Sequence, residues 1–180
     1  MAAAEKHQIF TTKHVSIDYV LELRDGIESF EDYVDVFKML NTITDKDTLE
    51  VRLNTPGGDC SVGWALIDAI QSVPCPVHCI VTYPTYSMGA LLAVCGDMLT
   101  ICDDTYIMFH DFSSGMKGKG GDMALYLNNY REVFVKRFNK LCQPFLSKKE
   151  SRDMFNGLDI YIHDSCPTLA TRIDRHFKRK

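Results

Sequence analysis

No apolar run in these 180 residues approaches the ~20 that a membrane-spanning helix requires. The N-terminus, Met-Ala-Ala-Ala-Glu-Lys-His, lacks an apolar segment, so no secretory signal is expected. Positive charge is not in excess: 20 Lys and Arg stand against 24 Asp and Glu, a net charge of −4. The one basic cluster, Arg172, Arg175, Lys178, Arg179 and Lys180, reads as a solvated end. Phosphate binding needs a broader positive footprint, so neither nucleic acid nor membrane is an expected partner. No internal repeat and no linker divides the chain.

What remains is the composition of a globular protein, 46% hydrophobic and 24% charged. One domain over residues 1–180 is expected, with 1–14 as a flexible N-terminal arm and 174–180 as a basic tail. Seven cysteines, an odd count without a targeting signal, suggest reduced thiols and a cytoplasmic location. Cys75, His78 and Cys79 invite a zinc reading. Val77 to Val81, however, has the character of a buried strand, in which alternate side chains face opposite ways. The cysteines therefore read as small core residues, and no metal or cofactor is expected.

Hydrophobic patterning alternates strands with helices. Strands are expected over Val15–Leu23, Leu49–Leu53, Val77–Thr82, Met98–Cys102 and Tyr106–Phe109. Helices are expected after Ser29, around Val62–Ile70, over Met88–Cys95 and Asp122–Gln143, after Ser147, and over Cys166–Ile173. The segment Ser113–Gly121 holds four glycines and reads as mobile or partner-dependent. The fold class is α/β, a mostly parallel sheet covered by helices on its faces, with one long helix from Asp122.

Two turns carry the chemistry. Asn54-Thr55-Pro56-Gly57-Gly58 follows a hydrophobic strand, at the strand end where α/β proteins place their sites. Its glycines can present bare N–H groups. Tyr86-Ser87-Met88-Gly89-Ala90 lies further along, with a serine opening an apolar helix. Taken alone, Pro-Gly-Gly is an ordinary turn, and Ser87 is as easily a helix cap. Together they offer a nucleophile and an oxyanion site. A serine needs a base, and His110, at a strand end before the glycine-rich segment, is the best placed of six histidines. His7, His14 and His176 lie near polar termini, His78 reads as a core strand residue, and His163 falls in a charged turn. Asp111 should point away from His110, and spacing does not choose among Asp153, Asp159 and Asp164 as the orienting acid.

These motifs resemble the proteolytic subunit of the Clp protease family, which carries Asn-Ser-Pro-Gly-Gly, Ala-Ser-Met-Gly-Ala and Met-Ile-His in this order. The chain has Asn54-Thr55-Pro56-Gly57-Gly58, Tyr86-Ser87-Met88-Gly89-Ala90 and Met108-Phe109-His110. The likeness continues into Leu158-Asp159-Ile160-Tyr161 and Arg172-Ile173-Asp174, so it spans about Ile17 to Ile173. It implies the ClpP/crotonase-like fold, with the long helix as the handle that joins two rings. It implies Ser87 as nucleophile, His110 as general base and Asp159 as orienting acid. Gly58 and Met88 are implied as the oxyanion-hole donors. It further implies a serine endopeptidase acting on unfolded polypeptides inside a homo-oligomer of stacked rings, usually a tetradecamer, with an AAA+ unfoldase as possible partner.

Departures from the family pattern are Thr55 for serine, Tyr86 for a small residue, Asp111 for glutamine and Phe112 for proline. They point to a reshaped substrate groove. The region before the first strand is shorter than the family's axial arm, which weakens the unfoldase expectation. A serine–lysine hydrolase related to signal-peptide peptidases, an acyl-CoA enzyme of the crotonase type, and a non-catalytic ring subunit or phage assembly component are the alternatives. His110 and Asp159 count against the first, length against the second, and a complete triad against the third.

Overall fold

A computed structural model describes residues 15–115 and 117–178. The arm proposed for residues 1–14, with His7 and His14, lies outside the described residues. Four parallel strands form the main sheet in the order β1 (Asp18–Leu23), β2 (Thr48–Leu53), β3 (Val77–Val81), β5 (Met98–Ile101). A second sheet has the order β4 (Thr85–Tyr86), β6 (Tyr106–Phe109), β7 (Ile160–His163), with β4 parallel and β7 antiparallel to β6.

Alternation explains the main sheet. In β2, Leu49, Val51 and Leu53 point inward while Thr48 and Arg52 face solvent. Against that inner face lie α1 (Val34–Leu40), preceded by a 3-10 turn at Phe30–Tyr33, and α2 (Cys60–Ser72). α3 (Met88–Ala93) is buried along its whole length. Among the described residues the helices cover one face only. The outer face carries Val20, Glu22, Arg52, His78 and Thr100, with Arg52 paired to both Glu22 and Glu50. His78 is therefore not a core residue: its Nε2 lies 2.9 Å from Thr100 Oγ1 on that open face, while Cys79 is buried beneath the sheet. Four of the seven free cysteines are buried, and the other three are half-buried.

The long helix α4 (Gly120–Cys142) has 23 residues, about 34 Å at 1.5 Å per residue. Its buried residues, Phe134, Phe138, Leu141 and Cys142, all fall in the second half. The first half is largely in solvent, with Leu125 and Tyr126 exposed, and Val133 is exposed further along. α5 (Lys148–Phe155) starts at the capping box of Ser147 and Glu150.

Three expectations need correction. His163 ends strand β7 instead of lying in a turn, and its ring packs 4.8 Å from that of Tyr106. The last helix, α6, runs Leu169–Phe177, so the stretch read as a tail from 174 is mostly helical. His176 is accordingly buried, with Nε2 2.9 Å from the Val94 carbonyl oxygen. No helix among the described residues is long and apolar enough to cross a membrane.

Candidate active site

Ser87 follows the two-residue strand β4 and immediately precedes α3, at φ 57° and ψ −124°. A non-glycine residue at positive φ costs roughly 1–3 kcal/mol, and such strain marks nucleophile turns that thrust a serine outward. Its side chain forms no hydrogen bond to the helix start, so Ser87 does not serve as a side-chain cap. The strain is held by main-chain bonds on both sides. Ser87 N–H donates to Met108 O at 2.9 Å, and Tyr86 N–H donates to Thr55 O at 3.0 Å.

The glycine turn presses against this serine. Gly57 has φ 86°, and a Cβ there would sit 2.7 Å from Ser87 Cβ and 2.8 Å from Met88 N. No side chain could be accommodated without moving Ser87. Gly57 donates its N–H to Thr55 Oγ1 at 3.1 Å, and the same hydroxyl donates to Asp25 O at 2.6 Å. Thr55 thus meets the hydrogen-bonding role of a serine at that position. Gly57 O and Asp59 N–H bridge to Ile27, at 2.8 and 2.6 Å, in a parallel β-bridge centred on Gly58. By strand geometry the Gly58 N–H points away from Ile27. A Cβ on Gly58 would overlap the Ile27 carbonyl. Met88 N–H, at the first position of α3, has no carbonyl one turn back to bond within the helix.

His110 follows the last residue of β6 and lines one cleft with Ser87, Met88, Leu91, Cys60 and Phe112. Phe109, Phe134 and Phe138 form its floor and leave a cavity of about 10 Å3, room for one water. Phe112 closes it, its ring 5.2 Å from Phe134 and 4.9 Å from Tyr130. Larger clefts lie elsewhere, about 280 Å3 beside Trp64 and Arg137 and about 600 Å3 beside Glu150 and Arg172. The first is lined by no serine, threonine or cysteine, and in the second the Ser147 hydroxyl is engaged as the cap of α5, so size is a poor guide here. Cys60 is the second nucleophilic atom in the cleft. Burial pushes its thiol pKa up and disfavours the thiolate, against a smaller opposing effect of the hydrogen bond with Tyr130.

The four carboxylates separate once the fold is known. Asp111 accepts from Arg131 Nη1 at 2.7 Å. Asp153 pairs with Lys149 one helical turn away, and Asp164 accepts the Asp104 N–H at 3.3 Å. Asp159 is exposed and outside the cleft lining. It nonetheless precedes β7, and the antiparallel register pairs Phe109 with Ile160. Continued one step past that last pair, the same register would bring His110 toward Asp159. Among the described residues no hydrogen bond joins Ser87, His110 and Asp159. Catalytic contacts are commonly loose before substrate binds.

Tyr86 is one functional neighbour whose role sequence reasoning missed. Its hydroxyl lies 2.9 Å from that of Tyr106, and this bond, with some burial, pushes its pKa up to about 12. The pair ties β4 to β6 beside the nucleophile. Arg131, which binds the residue after His110, also went unnoticed. Its signal in the sequence was only a charged residue on a helix.

A protein-family model described as Clp protease matches residues 10–152, most of the chain, taking in the glycine turn, Ser87 and His110. The match ends seven residues before Asp159, so the case for that acid rests on strand register. The parallel sheet, helix-covered on its inner side, and the long α4 agree with the ClpP fold. The chain belongs to the Clp protease family.

Proposed function

We propose that the protein is a serine endopeptidase using Ser87, His110 and Asp159. The carrying observation is the strained Ser87, locked by Gly57 and sharing a cleft with His110. Ser87 Oγ attacks the peptide carbonyl carbon as His110 takes its proton. The developing oxyanion accepts hydrogen bonds from Gly58 and Met88 N–H. Collapse breaks the C–N bond, the amine leaving with the proton from His110. Water then attacks the acyl-serine, giving its proton to His110, and the ester C–O bond breaks as His110 returns that proton to Ser87 Oγ, releasing the acid. Asp159 orients the imidazole. The apolar floor favours a small apolar side chain next to the scissile carbonyl.

Clp family members generally assemble as rings with unfoldases. We infer stacked rings for this chain, a tetradecamer by likeness, acting on unfolded polypeptides in the cytoplasm, with an AAA+ unfoldase as possible feeder. The exposed first half of α4 supports a role for that helix between subunits. The test is treatment with a fluorophosphonate followed by intact mass. One adduct on wild type, none on Ser87→Ala, and peptide hydrolysis abolished in the variant are expected. An unlabelled wild type in every assembly state would sink the proposal.

A further inference from the structure

Strand pairing between β6 and β7 stops at Phe109 and Ile160. The proposed base and acid, His110 and Asp159, both lie one step past that last pair, where the ladder no longer fixes them. Something else must hold the two chain segments at that end.

Arg131, on α4, reaches both. Its Nη1 donates to Asp111 Oδ2 at 2.7 Å, and its Nη2 donates to Phe155 O at 2.7 Å. The guanidinium carbon also stands 5.6 Å from the centre of the Phe155 ring. Asp111 is the residue after His110, and its other oxygen accepts the Phe112 N–H at 3.0 Å, so the carboxylate is held from two sides. Phe155 is the last residue of α5, and its carbonyl is one that the helix leaves unpaired. A cation there suits the negative end of the helix.

The link from Phe155 to Asp159 is stiff. Gly157 N–H donates to Met154 O at 2.9 Å and Leu158 N–H to Asp153 O at 3.1 Å, with Gly157 at φ 94°. That is the Schellman arrangement, in which a left-handed residue closes the helix and fixes the exit of the chain. Fixing the Phe155 carbonyl therefore fixes where Asp159 emerges. One planar guanidinium sets both segments, and a lysine, with a single compact charge, cannot span the two acceptors in the same way.

We propose that Arg131 is a positioning residue that holds His110 and Asp159 in register, acting through Asp111 and the Phe155 carbonyl. The inference rests on the serine-peptidase reading for its kinetic consequence, though not for the clamp itself.

The experiment compares wild type, Arg131→Gln, Arg131→Lys, Asp111→Asn and the control Arg137→Gln. Arg137 lies on the same helix, pairs with Asp68 and stacks over Trp64, away from the cleft. Peptide hydrolysis and amide hydrogen exchange are measured on each. Arg131→Gln should lower kcat roughly 10–100-fold with KM within about twofold, since small misplacements of catalytic groups cost that much. Arg131→Lys should recover part of the loss, and Arg137→Gln should match wild type. Exchange should quicken together over residues 110–112 and 156–159 in Arg131→Gln, without change in the core strands. Wild-type kcat in Arg131→Gln, a loss confined to KM, or an equal loss in Arg137→Gln overturns the proposal. If wild type itself gives no Ser87 adduct, the peptidase reading fails. The exchange data then still decide the clamp: quickening in both segments sustains it, and unchanged exchange overturns it.

Discussion

Ser87 and Gly57 are the residues most sensitive to change. Alanine at position 57 would have to hold a left-handed conformation, costing about 1–2 kcal/mol. Its Cβ would also enter the space of Ser87 Cβ and Met88 N. Gly57→Ala should therefore lower the melting temperature and reduce kcat by about 100-fold, since it shifts the nucleophile and an oxyanion donor together. Thr55→Ser makes the useful companion. It keeps the hydroxyl that bonds Asp25 O and Gly57 N–H and loses only a methyl group, so hydrolysis should stay near wild type. Calorimetry and peptide turnover on the two variants check the pair. The two turns stood out in the sequence only through their order and spacing, since each alone reads as an ordinary turn or a helix cap. Asp159 could not be singled out from spacing alone. Its placement opposite His110 depends on pairing between segments some fifty residues apart, and only the resemblance selected it over Asp153 and Asp164.

Among the elements, α5 carries a pH-dependent contribution. Burial alone would push the Glu150 carboxyl up. The Arg172 guanidinium, bonded at 2.7 and 3.1 Å, and the Ser147 N–H and hydroxyl outweigh it and hold the pKa at about 2. The unfolded value is about 4.3, so the folded group is the stronger acid. Its stabilising contribution is complete above about pH 4.5 and is lost as pH falls toward 2. Thermal melts of wild type and Glu150→Gln should therefore differ most near neutrality and converge across that window. Strands with clean alternation, such as Thr48–Leu53, were legible to within a residue. β4 was not, because two residues carry no period. β7 was hidden by tyrosine and histidine on its exposed face, where aromatic rings pack on Tyr106. The last helix was expected, but its basic residues disguised the final turn, which buries His176.

For the whole molecule, α4 is notable for the apolar side chains it leaves in solvent, Leu125, Tyr126 and Val133. Tyr126 and Val133 are seven residues apart and share a face of that helix, 54% and 60% exposed. Changing both to Asp should lower the native mass while leaving the circular dichroism of the subunit unchanged. An unaltered assembly would remove α4 from the interface. The two sheets meet at the nucleophile. Tyr86 N–H bonds the turn after β2, and Ser87 N–H bonds Met108, two residues before His110. Both bonds are made by the main chain, so no ordinary side-chain replacement can delete them. Descent could thus remodel Tyr86, Asp111 and Phe112 around the cleft while the spacing of Ser87 and His110 passed on unchanged.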